Sequence, residues 1–186
     1  MDDGVARDEL LGFGEGPVDH AALAAGIFDA PALGARLQAA RRFGALVHGI
    51  LAVVDLNATP KEIGAATRIH GRLVGATEPE MDAAVHTVIA ALAHPMMRRA
   101  ASVAASNLRR ETPILLRQED GTLLEGVVDL AFREEAAELA GWTVVDFKTD
   151  QEIELRQAEY TTQVALYADA IGKPTNSSVT GILLVI

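Results

Sequence analysis

Trp142-Thr143-Val144-Val145-Asp146-Phe147-Lys148 is the segment that decides the fold. Its β-branched and aromatic residues predict a buried strand. Side chains alternate between the faces of a strand, so Asp146 and Lys148 share one face while Phe147 points into the core. A charged pair on an apolar strand is costly unless both groups have partners. Taken alone, the pair is most simply a surface salt bridge near a strand end.

The residues before this strand predict a β-hairpin. Residues 111–117 contain Pro113, which is typical of an edge strand. Asp120-Gly121 predicts a tight turn, and a returning strand follows at 123–132. A polar stretch at 134–141 then leads into the strand that carries Asp146.

The residues after it predict a helix and a last strand. Residues 152–171 have helical character, and Gly172 and Pro174 are expected to end the helix. Residues 180–186 form an apolar run that predicts a strand. The C-terminal order is therefore β-β-β-α-β, which predicts an α/β (α+β) fold.

The N-terminal half predicts helices alone. Pro31 suits a first helical turn, and apolar residues then recur every three or four positions. Two capping-box spacings, Thr59 to Glu62 and Thr77 to Glu80, open the second and third helices. Pro95 opens a fourth. The predicted helices span about residues 31–57, 59–75, 77–93 and 95–105.

Length and composition indicate one globular domain. The 186 residues, 49% hydrophobic and 23% charged, suffice for a hydrophobic core. We expect an acidic linker or arm at 1–30 and a single domain at 31–186. That domain would consist of a helical half, 31–105, and a β-β-β-α-β core, 106–186.

Charge divides along the chain although the net charge is −10. Residues 32–117 hold eleven Lys or Arg against six acids, whereas residues 118–186 hold four against thirteen. A phosphodiesterase can use such a division, because one half attracts phosphate and the other concentrates carboxylates for cations. From charge alone, ordinary solvated surface is the simpler interpretation.

Several classes of protein are disfavoured. The absence of cysteine excludes disulfides, thiolate zinc sites and an iron–sulfur cluster. Met1-Asp2-Asp3-Gly4 does not resemble a signal peptide, and no apolar run reaches the ~18 residues of a membrane span. We expect a cytoplasmic protein without a membrane partner.

Asp129 changes the interpretation of Asp146 and Lys148. It lies within the returning strand, where aspartate is rare. Two buried carboxylates on neighbouring strands repel each other unless a cation or a proton lies between them, and a hard divalent cation meets that need. Lys148 could then stabilise charge on a hydroxide or a phosphate. The alternative is that Asp129 pairs with Arg109 or Arg110.

Two further features stay open at this stage. Tyr160, Gln163 and Tyr167 share one face of the predicted helix, where they could contact a nucleic-acid strand or simply belong to the core. His48 lies inside an amphipathic helix, and such a histidine is usually a satisfied core or boundary residue.

The ordered set of these segments resembles the RecB-type nucleases of the PD-(D/E)XK superfamily. The likeness is closest to the C-terminal nuclease domain of UvrD/AddA-like helicase–nucleases, also described as exonuclease V beta-subunit-like proteins, over roughly residues 40–186. The segments are Phe43-Gly44-Ala45-Leu46-Val47-His48, Arg110-Glu111-Thr112-Pro113, Gly126-Val127-Val128-Asp129-Leu130, Val145-Asp146-Phe147-Lys148-Thr149-Asp150, Tyr160, and Gln163-Val164-Ala165-Leu166-Tyr167-Ala168.

The resemblance implies a restriction-endonuclease-like core, a small mixed β-sheet with flanking helices, preceded by the helical N-terminal half. It also implies a role for each matching residue. Asp129, Asp146, His48 and the backbone carbonyl of Phe147 would bind Mg²⁺, for which Mn²⁺ or Ca²⁺ can substitute. Lys148 would position and activate the water. The remaining implied roles are a second-shell or second-metal carboxylate for Glu111, and support of the site or DNA binding for Tyr160, Gln163 and Tyr167.

The implied activity is a Mg²⁺-dependent exonuclease that hydrolyses single-stranded DNA during recombination and double-strand-break repair. The chain has no Walker A motif, so we expect a helicase domain or subunit to deliver the strand. One alternative is a catalytically inactive DNA-binding or scaffolding domain of a helicase–nuclease. Another is a hydrolase of the same fold acting on RNA or another phosphoester.

Overall fold

The computed structural model describes residues 30–117, 121–136, 139–149 and 153–186. The predicted acidic arm, apart from Ala30, and Asp120 of the predicted hairpin turn lie outside these residues. The chain divides into two compact units, Met1–Ala35 and Arg36–Ile186. The sheet and every candidate site residue belong to the second unit.

Five α-helices are present in the described ranges, and four of them precede the sheet. Both predicted capping boxes are confirmed, because Glu62 and Glu80 accept the backbone N–H groups of Thr59 and Thr77. Gly75 ends the second helix in the left-handed conformation. The four helices are α1 (Ala30–Val53), α2 (Pro60–Val74), α3 (Glu78–Ala93) and α4 (Pro95–Ser102), and a 3-10 turn follows at Ala105–Asn107.

Two of the predicted ends of the N-terminal helices were wrong. Helix α1 stops at Val53 rather than near Asn57, because the Asp55 carboxylate accepts the Asn57 N–H at 2.7 Å and favours a turn over further helix. Helix α4 stops at Ser102 rather than near residue 105, where the 3-10 turn begins.

The remaining elements form a four-stranded mixed sheet with one crossover helix, as predicted. The strand order is β1-β2-β3-β4, antiparallel except for the parallel pair β3 and β4. Strand β1 lies at the edge, where Pro113 is tolerated. The elements are β1 (Leu108–Arg117), β2 (Leu123–Glu134), β3 (Gly141–Lys148), α5 (Ile153–Thr175) and β4 (Val179–Val185).

Helix α5 extends past the predicted end at residue 171. Pro174 lies in the last turn and is accommodated there, and Asn176 follows with a left-handed φ of 47°. Together, α5 and the parallel pairing of β3 with β4 make a β-α-β unit that covers one face of the sheet.

The sheet has a hydrophobic cluster on each face. Leu130, Phe132, Val145 and Phe147 pack with residues of α1–α4, whereas Val128, Ala131, Val144 and Trp142 pack with Tyr167 of α5. None of the helices in the described part of the chain has the length and apolarity needed to cross a bilayer.

The regular alternation of strand β2 is interrupted at Asp129. Val128 and Leu130 belong to different clusters, although regular alternation would place residues two apart on one face. The pairing of β1 with β2 skips Glu111 and Asp129, and Glu111 adopts a φ of 45°, a left-handed value that is uncommon for a residue other than glycine. Asp129 therefore lies where both strands depart from regular geometry.

Candidate active site

Asp129 joins strand β3 to helix α1 through its carboxylate. The pairing of β2 with β3 ends at Leu130 and Val145. Asp129 comes one residue before Leu130, just outside the paired residues. Its Oδ2 accepts the backbone N–H of Phe147 at 2.8 Å, and its Oδ1 lies 3.4 Å from Nδ1 of His48. Asp129 thus contacts two elements that are far apart in the sequence.

His48 enters the site from α1. Its side chain is 31% exposed, and its ring meets Phe147 edge-on with centroids 6.1 Å apart. Burial lowers the pKa of the imidazole, but the contact with Asp129 and the charge of that carboxylate outweigh it, so the net pKa is raised. The contact with Asp129 makes His48 more than an isolated core histidine.

Asp146 and Lys148 share one face of β3, as predicted. Lys148 Nζ lies 2.7 Å from Asp146 Oδ2, and the two groups form an ion pair. Asp146 is only 3% exposed. Burial raises its pKa, Lys148 offsets part of that shift, and the charge of Asp129 raises it further. A surface salt bridge is therefore excluded, because the Asp146 carboxylate is buried.

Helix α5 surrounds Lys148 with an amide and an aromatic ring. The ammonium donates to Gln163 Oε1 at 3.5 Å and lies 4.6 Å from the centroid of the Tyr160 ring. Gln163 Nε2 donates in turn to the Tyr167 hydroxyl at 2.7 Å. Tyr160 and Tyr167 are buried, which favours support of the site over stacking on DNA.

Glu111 of β1 and Asp129 of β2 fall in the same gap of the strand pairing, between the pairs Arg110–Leu130 and Thr112–Val128. Its side chain remains largely exposed. Partial desolvation raises the pKa of its carboxyl, and the nearby charge of Asp129 raises it further. This position makes Glu111 a peripheral member of the carboxylate group.

The alternative pairing of Asp129 with an arginine is wrong. Arg110 donates to the carbonyl oxygens of Leu51 and Val54, at the end of α1, and Arg109 donates to those of Ser106 and Leu108. Both guanidinium groups thus bind backbone oxygens. Arg110 instead fastens the end of α1, the helix that carries His48, to strand β1.

A divalent ion fits the chemistry of this donor set in part. Two carboxylates and an imidazole are suitable ligands, and the buried Oδ2 of Asp146 has no hydrogen-bond partner beyond its ion pair. Within the described ranges, however, no three His, Asp or Glu side chains form a ready-made metal cage. Mg²⁺ usually binds only one or two carboxylates and completes its coordination shell with water and substrate phosphates. A site with two carboxylates and no complete protein cage agrees with that preference.

Thr149 has no role predicted from the sequence. A Cβ on Gly44 would lie 2.9 Å from Thr149 Oγ1, so the glycine of α1 allows the residue after Lys148 to approach the helix. Gly44 and His48 are four residues apart and therefore lie on one helix face. This i, i+4 spacing is the feature of the sequence that links Gly44 to the site. The contact with Thr149 itself depends on tertiary packing.

The fold and the site together define the class of protein. Neighbouring strands of one sheet present two carboxylates and a lysine, an arrangement typical of metal-dependent phosphodiesterases. The family model of the PD-(D/E)XK nuclease superfamily matches residues 17–184, and the chain belongs to that superfamily. Members of the superfamily are generally nucleases, which implies DNA as the substrate. They usually use divalent metal ions. No curated protein matches the sequence closely.

Proposed function

We propose that the chain is a Mg²⁺-dependent deoxyribonuclease domain of the RecB type, acting as an exonuclease on single-stranded DNA. The convergence of three elements carries the proposal. His48 of α1 contacts Asp129 of β2, whose carboxylate also binds the backbone of β3 beside Asp146 and Lys148.

In this proposal Asp129, Asp146, His48 and the Phe147 carbonyl hold the divalent ion. When bound, the ion would lower the pKa of a water molecule and polarise a phosphoryl oxygen. The remaining chemistry belongs to Lys148. Its ammonium, fixed by Asp146 and Gln163, would orient the attacking water and stabilise negative charge on the phosphate. Glu111 would add negative charge at the periphery of the site.

The substrate and the partner follow from the resemblance and from charge. The resembling domains act on strands delivered by a helicase, and this chain has no Walker A motif. We therefore propose a helicase domain or subunit as its partner in recombination and double-strand-break repair. The excess of Lys and Arg in residues 32–117 supports attraction of a polyanion to the helical half.

A cleavage assay tests the proposed activity. Single-stranded DNA should be hydrolysed in Mg²⁺ or Mn²⁺ and remain intact with chelator, and Lys148→Ala and Asp129→Ala should abolish cleavage. Asp169→Asn is the matched control, because Asp169 forms an exposed pair with Lys173 outside the site. Equal cleavage by the parent and both site variants would reject the assignment.

A comparison of linear with circular DNA tests separately whether the enzyme is an exonuclease. An exonuclease needs a free end, so linear single strands should be degraded while circular single strands survive. Cutting of the circles would replace the exonuclease proposal with an endonuclease without changing the site. A matched RNA strand in the same assay tests whether the enzyme prefers DNA.

One observation favours the rival proposal, a catalytically inactive DNA-binding or scaffolding domain. Among the described residues no preformed three-ligand cage exists, and the Lys148 ammonium neutralises Asp146 without a metal. Calorimetry separates the two proposals. A scaffold should bind single-stranded DNA equally well with and without divalent ions, whereas a nuclease should bind the metal and require it for cleavage.

A further inference from the structure

We propose that Gly126 and Tyr167 are positioning residues that act through Gln163 to hold the Lys148 ammonium in place. This inference rests on the proposed nuclease function, in which Lys148 is the catalytic lysine. Gly126 and Tyr167 lie on different elements, β2 and α5, and together they determine where the Gln163 amide can point.

Gly126 provides room for the Tyr167 ring. It pairs with Ile114 in the hairpin, and its φ lies outside the left-handed region, so the backbone itself does not require glycine. A Cβ at this position would lie 2.8 Å from Cε1 of Tyr167 and 3.0 Å from its hydroxyl oxygen. Any larger residue would therefore displace the ring.

Tyr167 is enclosed, so its hydroxyl serves the interior of the protein. The side chain is only 6% exposed and packs with Val128 and Val144 on the α5 face of the sheet. Its oxygen accepts the Gln163 amide at 2.7 Å, one helical turn away. A buried ring in this position cannot stack on a DNA base.

Gln163 transfers that constraint to Lys148. With Nε2 held by the Tyr167 hydroxyl, Oε1 faces the ammonium at 3.5 Å. Lysine has a flexible four-carbon chain, so its ammonium needs fixed partners to stay in one position. Asp146 provides the opposite charge, and Gln163 provides a second contact from another element.

Nuclear magnetic resonance tests the inference without any catalysis. The signal of the Gln163 side-chain amide can be assigned as the one that disappears in Gln163→Glu. We expect slow exchange of this amide with solvent in the parent protein. Tyr167→Phe removes only the hydroxyl and should accelerate exchange about fivefold, as expected for one lost hydrogen bond. Lys148→Met should shift the signal, and Gly126→Ala should accelerate exchange.

Kinetics provide the second measurement. Tyr167→Phe should lower kcat about fivefold with KM for DNA unchanged. Thr162→Ala is the control, because Thr162 is exposed on the same helix and bonds only to its own helix backbone in the described structure. It should change neither amide exchange nor kcat.

The outcomes are distinct. An unchanged Gln163 amide in Tyr167→Phe would overturn the inference, and so would an increase in KM alone, which would indicate direct contact with DNA. An active parent with an unaffected Tyr167→Phe would reject the positioning role while the nuclease stands. A protected, Tyr167-dependent amide in a protein that never cleaves DNA would support the contact and reject the proposed function.

Discussion

The carboxylate of Asp129 accepts the backbone N–H of Phe147 at 2.8 Å, one residue beyond the pairing of Leu130 with Val145. This bond continues the connection of β2 and β3 where their paired residues end. The other oxygen of the same carboxylate faces His48 at 3.4 Å. One side chain therefore links the sheet to α1 and contributes negative charge to the candidate site.

This double role makes Asp129→Asn more informative than truncation to alanine. Asparagine can still accept the Phe147 N–H through its amide oxygen, so the melting temperature should stay close to that of the parent. Loss of the charge should lower the rate of DNA cleavage about a hundredfold or more. Asp169→Asn should leave the rate unchanged. A variant that melts normally and cleaves normally would remove Asp129 from the site.

The free energy of unfolding should show that Asp146 and Lys148 act as a buried pair. Lys148→Met leaves the buried Asp146 carboxylate without its counter-charge and should lower the free energy of unfolding by about 3 kcal/mol. Adding Asp146→Asn removes the unpaired charge and should restore most of that loss without restoring cleavage. Urea unfolding of the single and double variants measures the coupling, and simple additivity would contradict a buried pair.

Gly44→Ala should impair the site through Thr149. The new methyl group would lie 2.9 Å from Thr149 Oγ1 and push the residue after Lys148 away from α1. We expect a lower rate of cleavage even though alanine favours helix by about 1 kcal/mol over glycine. Thr149→Ala removes the clashing oxygen, so the double variant should recover the rate. A double variant no better than Gly44→Ala would place the defect elsewhere.

Stability at acidic pH should depend on the pair of Arg42 and Glu80. The Arg42 guanidinium, with help from the Thr77 N–H, lowers the pKa of Glu80 to about 2 from its usual 4.5. The folded state thus binds fewer protons, and the stabilisation is present above pH 4.5 and is lost as pH falls toward 2.

Glu80→Gln measures this effect, since glutamine can still complete the capping box. It should lower the melting temperature by roughly 2 °C at pH 7, the size expected for a partly exposed ion pair at the surface, and by less at pH 3. Glu78→Gln, in the same helical turn, should have little effect at either pH. An equal shift for Glu80→Gln at both pH values would exclude the charge of Glu80 as the cause.

Local patterns were sufficient to predict most of the fold. The capping boxes at Thr59 and Thr77 begin helices α2 and α3 as expected, and Pro113 correctly indicated an edge strand. The alternation of Asp146, Phe147 and Lys148 also predicted which side chains share a face. These features depend on residues close in sequence, so sequence alone contains the necessary information.

The remaining features depend on tertiary packing. Nothing local to Glu111 predicts its left-handed φ, and nothing local to Asp129 predicts its contact with His48. The bonds from Arg110 to the end of α1 join residues more than fifty positions apart. Gly126 belongs to a recognised segment, but its role appears only once Tyr167 packs against it.

A crystal soaked in Mn²⁺, with anomalous diffraction recorded from it, tests the central claim most directly. The claim is that Asp129 and Asp146, with His48 and the Phe147 carbonyl, hold one divalent ion beside Lys148. We predict an anomalous peak within coordination distance of both carboxylates, about 2.0–2.2 Å, and its loss in Asp129→Asn. A well-ordered site with no peak beside these carboxylates, or a peak that persists in the variant, would contradict the claim.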